Sequence, residues 1–233
     1  MWSPDGARVA FSSVREGTDN TDIFVKTLGA EGPPTRVVSL PGYEELHQWP
    51  RDDLLLFEHI DGRGVGDLWR VEPTEAATPV AYLPAEEDLD DPVLSPDGEL
   101  LAYQSQVSWV EEVYLRSFPD PEQPVAVSEG PGQYPRWSPD GGTLYYWLEQ
   151  GTPFPDTLVA ARTGREPAAV LSREVVLTGN FSVEDWDLHP DGDRIIIARD
   201  GGNVEEEPEE LRFLVVVNWF EELRSRLGKG GRR

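Results

Sequence analysis

Four times in this chain a serine or histidine stands two residues before an aspartate with a proline between them. The pairs are Ser3 with Asp5, Ser95 with Asp97, Ser138 with Asp140 and His189 with Asp191, the first three inside identical Ser-Pro-Asp-Gly tetrapeptides. Serine and aspartate together suggest acyl transfer, which also needs a histidine base and a nucleophile on a strained turn, commonly Gly-x-Ser-x-Gly. That pentapeptide is absent. The histidines do not converge on a site either: His47 sits beside an inner strand, His59 ends a second strand, and His189 takes the place of a motif serine. Catalysis needs one constellation, not four copies of one pair. Asp5, Asp97, Asp140 and Asp191 are therefore read as turn formers, with no catalytic, cofactor-binding or metal-ligating residue assigned and the chain read as a non-enzyme.

Oxygen ligands crowd at Asp19, Asn20 and Asp22. A hard cation such as calcium wants several such ligands, but no EF-hand spacing is present. The cluster reads as a turn, and no cofactor is expected.

If the tetrapeptide is punctuation, its spacing reports the fold. A degenerate copy at Trp49-Pro50-Arg51-Asp52-Asp53 completes a series in which Pro4, Pro50, Pro96, Pro139 and Pro190 stand 46, 46, 43 and 51 residues apart. A second marker keeps phase with it: Asp22, Asp67, Glu112 and Asp156 each open a short apolar run 18, 17, 16 and 17 residues after a motif proline. Periods of this length fit either four-stranded propeller blades or helical repeats. The 21 prolines and 22 glycines recur between short apolar runs and would break helices of the length such repeats require. Strands fit instead. In the third copy, residues 91–94, 100–105, 113–118 and 124–127 read as four short strands, with Leu101 and Tyr103 on one face. Second strands recur at 9–13, 54–59, 143–148 and 194–199. The expected fold is an all-β propeller of about five four-stranded antiparallel blades over residues 1–217, the first and last incomplete. Trp2, Trp49, Trp137 and Trp186 recur in register as packing residues between blades.

Trp-Ser-Pro-Asp-Gly, followed by Val-Ala-Phe-Ser-Ser and Asp-Ile-Phe-Val, resembles the WD40-like (PD40) repeat of TolB-type β-propellers. The resemblance covers nearly the whole chain. It implies the fold rather than the function, because such repeats serve a translocation protein, substrate-gating domains of prolyl-oligopeptidase-like enzymes and signalling proteins. Val215 to Leu223, Val-Val-Val-Asn-Trp-Phe-Glu-Glu-Leu, resembles the C-terminal end of bacterial serine/threonine kinases that carry such a propeller. That implies a sensing or docking module, the kinase signatures themselves being absent from the chain. The competing expectation is a substrate-gating propeller of a peptidase or another hydrolase.

Asn218 as N-cap, Glu221 three residues on, and the apolar positions Phe220, Leu223 and Leu227 predict a capping helix over residues 218–228, followed by a basic tail at 229–233. The first strand of the first blade is expected upstream of Met1, which favours reading the chain as a fragment.

The 233 residues carry a formal charge of −24 and no cysteine. Such a charge repels nucleic acid and anionic lipid, and no apolar stretch is long enough to insert in a membrane. The chain reads as soluble, cytoplasmic by default, and extracytoplasmic if a signal or transmembrane segment lies upstream. In an antiparallel blade, the loop between strands two and three shares an end with the loop to the next blade. Acids gather in both. The expected partner surface there comprises Tyr43, Glu44, Glu45, Glu86, Glu87, Asp88, Asp90, Asp91, Tyr134, Phe181, Glu184 and Asp185, facing a protein or peptide partner of basic character. Arg36, Arg70, Arg116, Arg162 and Arg165 are expected towards the opposite end.

Overall fold

Each Ser-Pro-Asp-Gly is a closed hairpin turn. The serine hydroxyl donates to the aspartate Oδ1 at 2.6 Å in all three copies and accepts an amide from the strand that follows, at 2.9 to 3.0 Å. The aspartate accepts a second amide, and Gly6, Gly98 and Gly141 take φ of 68, 76 and 68°. Only glycine adopts that region without strain. In the fourth copy His189 stands in place of the serine, with its Nδ1 3.2 Å from the Asp191 amide nitrogen and 2.8 Å from Asp191 Oδ1.

The turns link the first and second strands of successive blades in a computed structural model that describes residues 1–14, 20–64, 66–75, 77–83, 89–106, 110–148, 155–192, 194–198 and 213–217. The first blade holds β1 (Arg8–Val14), β2 (Thr21–Thr27) and β3 (Thr35–Val38), with Trp2 bridged to Val9 where an innermost strand would lie. The second is β4 (Tyr43–Arg51), β5 (Leu54–Ile60), β6 (Gly66–Val71) and β7 (Val80–Leu83). The third is β8 (Leu89–Leu94), β9 (Leu100–Ser105), β10 (Glu112–Ser117) and β11 (Val125–Ala126). The fourth is β12 (Gly132–Trp137), β13 (Thr143–Leu148), β14 (Asp156–Arg165) and β15 (Ala168–Gly179). The fifth shows β16 (Ser182–Leu188), β17 (Arg194–Ala198) and β18 (Phe213–Val217). Pairing within every blade is antiparallel and sequential. The expected helix at 218–228 lies outside the described residues.

Side chains alternate across a strand, so a blade buried on both faces needs apolar residues at successive positions. Leu54 and Leu56 join Leu101 and Tyr103 in the core between the second and third blades, while Leu55 and Phe57 face Ile23 and Val25 of the first. Leu100 and Ala102 meet Leu144 and Tyr146; Tyr145 and Trp147 meet Trp186, Ile195 and Ile197. The repeated tryptophans do pack between blades. Arg8 of the first blade lies 4.8 Å above the ring of Trp49, Trp137 donates its indole N–H to Val93 O at 3.0 Å, and Trp186 sits edge-on to Trp147 at 6.0 Å. Trp2 is the exception, at 62% exposed.

Ser3, Ser95 and Ser138 are buried, and each hydroxyl is committed to its turn. Ser95→Ala would leave the buried Leu100 amide without its acceptor and is expected to lower stability by about 1–3 kcal/mol in urea unfolding. The turn also sets an acid limit. Hydrogen bonds from Ser3 and Ser138 hold Asp5 and Asp140 below the usual carboxylate value; at Asp97 burial pushes upward but is outweighed by Ser95, the Glu99 amide and Arg165. A depressed folded pKa contributes stability that is present above the unfolded value of 3.8 and lost as pH falls through the folded one. Acid unfolding should therefore steepen below that value, and less so in a Ser95→Ala, Ser138→Ala double variant.

Candidate functional site

The innermost strands β4, β8, β12 and β16 lie side by side, β4 against β8, β8 against β12 and β12 against β16. All four start at the same end. Their opening turns carry acids that the sequence places in interblade loops: Glu45 on β4, Asp90 and Asp91 on β8, Glu184 and Asp185 on β16. Glu45, Asp90, Glu184 and Asp185 are exposed, Asp91 is half-buried, and Tyr43 stands at the rim, 52% exposed.

Every one of these strands slips register just beyond its start, between Leu46 and Gln48, Asp90 and Val93, Gln133 and Arg136, and Ser182 and Trp186. Such bulges re-aim side chains and increase local twist. Two of them put a non-glycine residue in the left-handed region, Asp91 at φ 45° and Tyr134 at φ 52°. Both precede a proline, Pro92 and Pro135, which has no N–H to offer the ladder. That X-Pro step inside an inner strand is the sequence signal that finds the bulge. Burial pushes the Asp91 carboxyl up, Asp90 and Glu45 add to this, and Arg136 and His47 pull it down. Charges from β4, β8 and β12 are thus felt at one carboxylate. Farther along the strands, Gln48, Val93, Arg136, Trp137, Asp187 and Leu188 line a cleft of about 250 Å³ that opens towards the motif turns.

The expected partner surface needs correcting at two places. Glu44 is 1% exposed, because it points with Leu46 into the interface between the first two blades, and Phe181 is 7% exposed, packed on Trp147 with its amide bonded to Asp156 Oδ2 at 3.2 Å. Neither lies on the surface. Tyr134 is half-buried against the core of the last two blades, with its amide bonded to Gln104 Oε1. Glu86, Glu87 and Asp88 lie outside the described residues, as does Asp19 of the oxygen-rich cluster. Asp22 is buried and bonded to Arg36 Nη1 at 3.2 Å. Arg36 therefore reaches the acidic end rather than the opposite one. Arg116 is buried, its Nε donating to Tyr103 Oη at 2.8 Å. Arg165 does lie at the motif end, where it donates to Asp97 of the neighbouring blade and to Gly141 O.

Each of the three histidines has a carboxylate partner: His47 with Glu58 at 3.4 Å, His59 with Glu44 at 3.2 Å, and His189 with Asp191 at 2.8 Å. Among the described residues no helix is long and apolar enough to cross a membrane.

Four-stranded antiparallel blades arranged with their first strands side by side define a β-propeller architecture. The fold is similar to that of TolB propellers. The chain superposes on TolB from Acinetobacter baumannii with a TM-score of 0.63 at 14% identity, covering 93% of this chain and 50% of that one. It superposes on putative TolB from Agrobacterium tumefaciens with a TM-score of 0.56 at 17% identity, covering 76% and 65%. Prolyl oligopeptidase B from Galerina marginata matches 87% of this chain and 31% of its own, at 12% identity and a TM-score of 0.55. The chain thus spans from half to just under two thirds of the TolB structures. No family model matches it, and no curated protein matches it by sequence.

Proposed function

We propose that this chain is a non-enzymatic binding module that takes a basic peptide or protein segment at the acidic end of its axis. One observation carries the reading: Glu45, Asp90, Glu184 and Asp185, from three different blades, are exposed at the starts of adjoining inner strands, with Tyr43 beside them. At a net charge of −24 the field there steers cations inward, and the bulged backbone fixes where the carboxylates point.

The test is calorimetric binding of a lysine- and arginine-rich peptide pool at low and moderate salt. The quadruple variant Glu45→Gln, Asp90→Asn, Glu184→Gln, Asp185→Asn should bind at least about tenfold more weakly, with a shallower salt dependence. A charge-matched variant at the other end, Asp53→Asn, Glu99→Gln, Asp120→Asn, Glu122→Gln, should bind as the parent does. Equal losses in the two variants would reduce the acidic end to general surface charge.

The resemblance of Val215 to Leu223 to kinase C-termini supports a finer reading, a docking or sensing module at the tail of a kinase-like signalling protein. Val215 to Val217 lie on β18, and the rest of that segment is outside the described residues. The match to one third of a prolyl oligopeptidase supports the second reading, a substrate-gating propeller. The reading frame upstream of Met1 separates them: a kinase domain there supports signalling, a hydrolase domain supports gating.

A further inference from the structure

The buried acid that left the partner surface has a place of its own. Glu44 has a fully buried side chain; its Oε1 lies 3.2 Å from His59 Nδ1, and its Oε2 has no hydrogen-bond partner. A buried carboxylate oxygen left without a donor is costly when charged. The site sits on the seam between the first two blades. Thr21 and Tyr43 make the parallel pairing that joins the two sheets there, with the Thr21 amide on Gly42 O at 3.3 Å. Apolar residues close the seam below it, Ile23 from β2 and Phe57 from β5, and Trp69 stands edge-on to His59 at 5.6 Å.

The charged groups around Glu44 come from every neighbouring strand. From β2 comes Asp22, with its side chain 5% exposed; from β3 comes Arg36, paired with Asp22 but 57% exposed and so screened by solvent. From β5 comes His59, and from β6 Asp67, across the ladder from His59. His47 and Glu58 pair with each other on the same two central strands. Protonated, Glu44 is neutral and hydrogen-bonded to His59. Without its proton, a second negative charge stands beside Asp22 inside the seam.

We propose that Glu44, held against His59, forms a latch, in which the proton on the Glu44 carboxyl holds the first two blades together and its loss loosens the joint at Gly42. The direction follows from the surroundings. Burial, then the charge of Asp22, pushes the Glu44 carboxyl from 4.5 up to about 7, against a smaller opposing pull from the Leu40 amide. A raised folded pKa contributes stability that is full below the unfolded value and is lost as pH rises through the folded one. The seam therefore weakens from about pH 5 upward and is loosest above pH 7, the opposite sign to the motif aspartates.

Hydrogen exchange followed by mass spectrometry reads the joint directly. After correction for the pH dependence of intrinsic exchange, protection of residues 21–25 and 43–46 should fall about tenfold or more between pH 5.5 and pH 8.5, as a shift of one pKa unit or more requires. Residues 100–105 and 143–148 should hold their protection over that range. Glu44→Gln, a mimic of the protonated acid, should flatten the profile at the seam. Asp22→Asn, which removes the neighbouring charge, should move the midpoint to lower pH, and it carries the test alone if Glu44→Gln does not fold. A Glu44→Gln profile parallel to the parent's, an unmoved midpoint in Asp22→Asn, or an equal fall in all blades would overturn the latch.

Discussion

Replacing Trp147 by alanine is expected to destabilise the protein by about 3–5 kcal/mol, the range for deleting a large aromatic from a core that cannot collapse around the gap. Trp147 is completely buried on β13, with Phe181 at 5.4 Å and Trp186 edge-on at 6.0 Å. Those two rings belong to the segment entering the last blade, so the indole lies at the centre of the core that holds the fifth blade to the fourth. Loss should appear first in the fifth blade: exchange protection over 194–198 should fall before that over 100–105. The melting temperature should drop by roughly 10 °C for a chain of this size. Trp147→Phe separates aromatic packing from volume. The indole N–H of Trp147 has no hydrogen-bond partner, so phenylalanine forfeits no bond and should cost clearly less. Leu171→Ala, at a site 67% exposed, is the control and should stay within about 0.5 kcal/mol. A Trp147→Ala variant that melts with the control would mean that the last two blades are not coupled through this ring.

The fold was legible because two periods are superimposed in the sequence. The long one, marked by Ser-Pro-Asp-Gly, counts blades; the short one, alternation within strands, assigns faces. Leu100 to Ser105 shows how they combine: the motif turn dates the start of the strand, and the unbroken apolar run Leu100 to Tyr103 says that both faces are covered. The acidic end was legible only as composition. Glu44 and Glu45 are chemically alike and adjacent, yet one is buried and the other exposed, because they fall on opposite faces of β4. The alternation was there to read, since Glu44 shares its face with Leu46. Assigning 44 and 45 to a loop removed the face from consideration. Phe181 was misplaced for the same reason: a residue before a strand is not necessarily at the surface when a carboxylate from another strand, Asp156, holds its amide. The degenerate turn at Trp49 hides a further difference. Arg51 pairs with Leu54 directly, so this hairpin is tighter than its siblings, and no serine is needed to close it.

The same seam yields the second large effect. Gly42→Ala is expected to cost about 2–4 kcal/mol, well above an ordinary glycine substitution. Gly42 has φ 148°, and a methyl group added there would come within 2.3 Å of Ile60 O and 3.0 Å of the His59 ring. The first of those atoms is backbone, fixed by the pairing of Tyr43 with Ile60, so the clash cannot be relieved by a rotamer change. Either the β4 and β5 ladder opens at its end or Gly42 withdraws its carbonyl from Thr21. Gly6→Ala provides the comparison. Its φ of 68° is also left-handed, but open space surrounds the added methyl, so only backbone strain of about 1–2 kcal/mol applies. If the two variants unfold at the same urea concentration, the contact with Ile60 is relieved elsewhere and the seam is softer than its geometry implies. If Gly42→Ala is much the weaker and its exchange at residues 21–25 no longer responds to pH, strain at Gly42 and charge at Glu44 act on one joint. The glycine and the latch then form a single mechanical unit between the first two blades.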